Sequence, residues 1–145
     1  GTDSAPHLDA VRDQAETMPM PGEVVAGVSD MGARMMRADL CIGAVGSTAW
    51  ERCALGLPTL QVVLADNQRE AAKAMAARGL ALALPVPGAL GFARALAERL
   101  ERLSDTGHYR AMARAATALT DGGGADRLVA RLLKGVQRKE KTHAY

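Results

Sequence analysis

Aromatic residues are scarce in this chain: one Trp, two Tyr and one Phe among 145 residues. A hydrophobic share of 48% must then come mainly from Leu, Val, Ala and seven Met. That predicts an aliphatic core and excludes disorder over most of the length. Cysteine is scarcer still, with Cys41 and Cys53 alone. Both fall in predicted regular elements and read as small buried hydrophobes in a reducing compartment, not as a disulfide framework. No apolar run approaches the ~20 residues that span a bilayer, and no leader pattern opens the chain. A cytoplasmic protein with no membrane partner is expected. Charge of one sign is missing too: 18 Lys and Arg face 16 Asp and Glu, for a net +2. The basic cluster at 134–141 lies in the tail, so the one-sided positive surface of a nucleic-acid binder is not expected. His7, His108 and His143 are scattered and match no metal-ligand spacing. No metal or cofactor is expected, and none of the three has an evident partner as a general base.

What the chain does have is alternation. Pro6 suits a first helical turn, and Leu8, Val11, Ala15 and Met18 continue one helical face until Pro19-Met20-Pro21-Gly22 stops it. Short apolar or β-branched runs predict strands at 23–27, 39–43, 58–64 and 80–84. Helices are predicted at 31–37, 48–55 and 67–78, the last two ended by Gly56 and Gly79 as left-handed stops. Helices at 90–103, 108–119 and 125–136 close the chain. Strands apolar on both faces and alternating with helices predict an α/β fold, a Rossmann-like parallel sheet flanked by helices. The length suits one domain, assigned to 1–136, with a charged, flexible tail at 137–145.

In such sheets ligands bind beyond the carboxyl ends of the strands. There the chain reads Gly43-Ala44-Val45-Gly46-Ser47-Thr48, a turn of small residues between a strand and a helix. Thr48-Ala49-Trp50-Glu51 fits a capping box, with Thr48 as cap and Glu51 reaching back. The same turn can hold a diphosphate on free N–H groups, with Glu51 placed to accept from a ribose diol. Asp66, Asn67 and Gln68 end the next strand and are expected beside it. They read either as loop and cap residues or, for the two amides, as partners for sugar hydroxyls. Asp121-Gly122-Gly123-Gly124-Ala125-Asp126-Arg127 follows a helix instead of a strand, so a helix-to-helix turn capped by Asp121 is expected there, not a phosphate loop.

The stretch ADLCIGAVGSTAWERCALGLPTLQVVLADNQREAAKAMAARG at 38–79, with SDMGARMMRADL before it and TDGGGADRLVARLL after it, resembles one family. It is similar to the UDP-sugar hydrolases of pseudaminic acid biosynthesis, which release UDP from a UDP-linked diacetamido-trideoxy-altropyranose. A looser likeness reaches the peptidoglycan N-acetylglucosaminyltransferases. Both have the GT-B architecture of two Rossmann-like domains. The resemblance implies that the chain is the carboxy-terminal, UDP-binding domain of such a hydrolase, with a UDP-sugar as its partner. It implies that Gly46, Ser47 and Thr48 lie against the diphosphate, that Glu51 holds the ribose, and that Asn67 and Gln68 face the sugar or its phosphates. Relatives commonly read Gly-Gly-Ser-Thr where this chain has Val45-Gly46-Ser47-Thr48. The family's catalytic histidine, in a Gly-x-Gly-His loop of its other domain, has no counterpart here, so this chain alone is expected to be inactive. Two alternatives stand beside the hydrolase: a GT-B glycosyltransferase domain, and a non-catalytic nucleotide-sugar-binding module. With a Rossmann-like strand order of 3-2-1-4-5-6, the strands at 23–27 and 39–43 are not neighbours. Unpaired sheet edges are then expected to drive self-association.

Overall fold

A computed structural model describes the backbone of residues 6–142 and the side chains of 6–134. The opening residues Gly1-Thr2-Asp3 and the last three, His143 among them, lie outside the described residues. The chain falls into two compact units, Gly1–Arg34 and Met35–Tyr145.

In the first unit, α1 (Leu8–Glu16) buries no residue. It ends where the N–H groups of Thr17 and Met18 donate to the Gln14 and Ala15 carbonyls, both at 3.2 Å. The strand expected at 23–27 does not form. Val24, Ala26 and Val28 alternate as half-buried positions, as an extended chain would place them. However, Gly27 takes a positive φ of 61°, and no strand pairs with the segment. β-branched residues alone do not make a strand without a ladder to join. Arg34 ties this stretch to the next helix, reaching Asp30 at 3.1 Å and Glu23 at 3.4 Å. That helix, α2 (Met31–Arg37), has the bounds the sequence predicts.

The second unit carries an α/β fold with a three-stranded parallel sheet in the order β1 (Cys41–Ala44), β2 (Thr59–Val62), β3 (Leu82–Ala83). Cys41 lies opposite Thr59, and Leu60 opposite Leu82. Each strand is joined to the next by a helix, α3 (Thr48–Ala54) and then α4 (Arg69–Ala77). This is the crossover that parallel neighbours require. β2 is buried at every position, whereas Ile42 on β1 is half exposed. After β3 come α5 (Phe92–Ser104), α6 (Thr106–Leu119) and α7 (Gly124–Thr142). α7 continues beyond 136, the predicted end. The core is aliphatic, as the composition requires: Leu60, Val62, Leu84, Leu103 and Met112, with Phe92 packed against it. Cys53 is buried and Cys41 half-buried, both as free thiols. Burial pushes the Cys53 thiol above its ordinary range.

Gly56 ends α3 with φ at 64°, and Gly79 follows α4 with φ at 69°. α6 packs against α3 and α5, and the Tyr109 hydroxyl donates to the Asp39 carbonyl just ahead of β1 at 2.8 Å. The core and these ties position the two loops that leave the carboxyl ends of β1 and β2.

Candidate functional site

Because β1 and β2 are parallel neighbours, the turns that follow them open side by side. The last ladder bond of β1 runs from the Val45 N–H to the Val62 carbonyl at 3.3 Å. Val45 is buried, so the exposed turn begins at Gly46. The Ala49 N–H then donates to Gly46 O at 3.0 Å, and the Trp50 N–H to Ser47 O at 3.1 Å. The N–H groups of Gly46, Ser47 and Thr48 have no backbone partner among the described residues, as expected at a helix start. A Cβ built on Gly46 would meet nothing within 4 Å, so the turn stands open.

The capping box expected at 48–51 is not made. Ser47, not Thr48, occupies the cap position, with helical φ and ψ and no side-chain cap bond. Thr48 Oγ1 instead accepts from Arg52 Nη1 at 3.3 Å, while Arg52 Nη2 donates to the Ala44 carbonyl at 2.8 Å. Glu51 is exposed on α3. After β2, residues Asp66–Gln68 form a short 3-10 turn. No side chain there caps a helix in the expected way. Gln68 Oε1 accepts from the Leu64 N–H at 3.0 Å and closes the turn, leaving its NH2 group free to donate elsewhere. Asp66 pairs with Arg69 at 2.8 Å.

A cleft of about 510 Å³ joins these two loops, within the range of small-ligand sites. Of the residues singled out from the sequence, Gly46, Asn67 and Gln68 line it; Ser47, Thr48 and Glu51 do not. Its lining is mostly apolar, and Arg78 supplies its only formal charge. Sequence reasoning missed Trp50 and Arg78, both of which line the cleft. The signal was there for Trp50: it is the chain's sole Trp, placed in a helix that follows a small-residue turn.

The other candidates sit elsewhere. His108 pairs with Asp105, Nδ1 to Oδ1 at 3.1 Å, where Asp105 also caps α6 by accepting from the His108 N–H at 2.9 Å. Those bonds, the backbone one foremost, lower the Asp105 carboxyl below its ordinary range. His7 is exposed at the start of α1, and neither histidine lines the cleft. The glycine run after α6 is the helix-to-helix turn expected. Asp121 Oδ1 accepts from the Gly123 N–H at 3.0 Å, and both its oxygens take the Arg127 guanidinium, at 2.7 and 3.0 Å. Among the described residues, no group of three or more His, Cys, Asp or Glu could hold a metal ion. No described helix is long and apolar enough to cross a membrane.

No family model matches the chain. Over 81 residues it is 33% identical to the spore coat polysaccharide biosynthesis protein SpsG of Bacillus subtilis (strain 168). The match takes in 56% of this chain and 24% of that protein, so the chain spans about a quarter of its relative. The chain thus combines a Rossmann-like parallel sheet, with a cleft beyond its strands, with a distant and partial homology to a polysaccharide-biosynthesis protein.

Proposed function

We propose that this chain is the UDP-binding part of a UDP-sugar hydrolase acting on a diacetamido-trideoxy hexose. The observation that carries the reading is the cleft that Gly46 shares with Asn67 and Gln68. The sequence resemblance assigns those positions to the diphosphate and the sugar, and the homology to a polysaccharide-biosynthesis protein agrees with sugar chemistry. In this reading the free N–H groups at Gly46, Ser47 and Thr48 take the diphosphate. They stabilise the charge of departing UDP without a metal, as preorganised donors do. Glu51 accepts from the ribose hydroxyls, and the amides of Asn67 and Gln68 meet the sugar. Water activation is assigned, as the resemblance implies, to the histidine that the family carries in its other domain. A transferase of the same architecture is the second reading, favoured by the polysaccharide-building role in the relative's name. UDP release in water alone, by the complete protein, separates hydrolysis from transfer.

UDP titrated into the chain should shift amide resonances at Gly46 to Glu51 and at Asp66 to Gln68. Affinity should be millimolar, about −4 kcal/mol. Glu51→Ala should weaken UDP more than inorganic pyrophosphate. Shifts gathered at 121–124 instead would overturn the assignment. The chain alone should bind without turning over UDP-sugars, with or without divalent metal.

A further inference from the structure

On α7, every residue from Gly124 to Lys134 is exposed. Among them are four large aliphatics, Leu128, Val129, Leu132 and Leu133, at 54 to 61% exposure. Steps of one and four residues put all four on one side of the helix. Arg127, Arg131 and Lys134 recur at steps of four and three and form a separate row. Arg127 is held by Asp121, whereas Arg131 and Lys134 make no ion pair among the described residues. The backbone stays helical to Thr142, and the sequence adds Arg138, Lys139 and Lys141. Across 124–142, six Lys or Arg face only Asp126 and Glu140, while the rest of the chain holds more acids than bases. The near-neutral balance of the whole chain therefore conceals a segregation of positive charge onto α7. Single exposed aliphatics are ordinary on a protein surface, but four adjoining ones on one helix mark a contact surface.

We propose that α7 is an interfacial helix that lies on an anionic lipid surface, with its aliphatic side among the acyl chains and its Lys and Arg among the headgroups. The two sides of the helix ask two things of one partner. A nucleic acid would meet the charge and leave the aliphatic side in water. An apolar groove on a protein would cover the aliphatic side and give the charge nothing to meet. An anionic bilayer answers both, through burial of the aliphatics and attraction of the basic residues to the headgroups. No described helix is apolar enough to span a bilayer, a condition that a helix lying in the interface does not have to meet. No residue of α7 lines the cleft, so the inference stands apart from the nucleotide reading.

Co-sedimentation of the whole chain with phosphatidylcholine vesicles, pure or carrying about 30% phosphatidylglycerol, tests this. The chain should bind the anionic vesicles at least about tenfold more tightly than the neutral ones. Raising salt from about 0.1 M to about 0.5 M should weaken that binding. Leu128→Glu with Leu132→Glu, both at exposed positions, should abolish sedimentation and leave the thermal midpoint unchanged. Arg131→Gln with Lys134→Gln should cut binding to the anionic vesicles about tenfold and leave the weak binding to neutral ones as it was. No sedimentation with anionic vesicles, equal binding to neutral ones, or binding that survives the paired Glu substitutions would each overturn the proposal. Binding to duplex DNA without sedimentation would assign α7 to a nucleic acid. A concentration-dependent mass lost on the paired Glu substitutions, again without sedimentation, would assign it to a second copy of the chain, and either result would also overturn the proposal.

Discussion

Arg52 is 5% exposed, and no carboxylate lies within ion-pair reach of it among the described residues. Burying a charge without a counter-charge is costly, so its hydrogen bonds must compensate, and its Nε makes none. Two arms do the work, one to the Ala44 carbonyl and one to Thr48 Oγ1. Together they clamp the two ends of the turn that starts the site. Gly43 makes the clamp possible, since a Cβ there would stand 3.0 Å from Arg52 Nη1. Arg52→Ala should cost about 2–4 kcal/mol in urea unfolding, from the lost bonds and the vacated space. Arg52→Lys should recover only part of it, because an ammonium cannot span two acceptors as a fork does. Asp121 gives a pH prediction at the same scale. The Arg127 side chain, then the Gly123 N–H, lower its carboxyl from 3.8 to about 2. A folded value below the unfolded one means that its stabilisation is complete above about pH 4 and is lost as pH falls through about 2. A carboxyl NMR titration should place its midpoint there. A midpoint near 4 would show the Asp121–Arg127 pair to be absent in solution.

Elements are held apart or brought close by what their ends permit. Gly56 needs its positive φ, and a Cβ there would also sit 2.8 Å from Thr117 Cγ2 and 3.3 Å from the Ala113 carbonyl on α6. Gly56→Ala should therefore destabilise by about 1–3 kcal/mol, from backbone strain and overpacking. Thr117→Ser in that background removes the clashing methyl and should restore the steric part alone. The midpoint of denaturant unfolding reads both. Such glycine stops were legible in the sequence because they are local, and α2, α3 and the sheet's parallel order followed from periodicity and alternation. What escaped was decided by partners far along the chain or by competing side chains. The 23–27 segment had the right residues for a strand and no ladder to enter. Thr48 had the right spacing for a cap, but Arg52, one turn on, takes its oxygen. The cleft was legible as a place, at Gly46 and Asn67. Its walls were not, because Trp50 on α3 and Arg78 at the end of α4 come to one cleft only through the fold.

At the scale of the whole molecule, the open edge of β1 is where self-association is expected. Cys41 and Val45 aim their N–H groups at β2, so the alternate residues Ile42 and Ala44 aim theirs the other way. Among the described residues no strand lies on that side. Edges left with unpaired N–H and C=O groups recruit another strand. Arg52 blunts this edge at one end by occupying the Ala44 carbonyl, but Ile42 keeps both of its outward groups and a side chain 52% exposed. A short edge with one blocked carbonyl offers few ladder bonds, so the expected contact is weak and concentration-dependent instead of permanent. Size exclusion with light scattering should show the mean mass rising between about 10 μM and about 1 mM. Ile42→Lys puts a charge on the edge, where it should suppress the rise, and because Ile42 is half exposed it should leave the thermal midpoint nearly unchanged. Arg52→Ala, which frees the Ala44 carbonyl, should push association the other way. A monodisperse monomer across that range, with Ile42→Lys indistinguishable from the parent, would mean that the edge is covered in solution and that self-association through β1 does not occur.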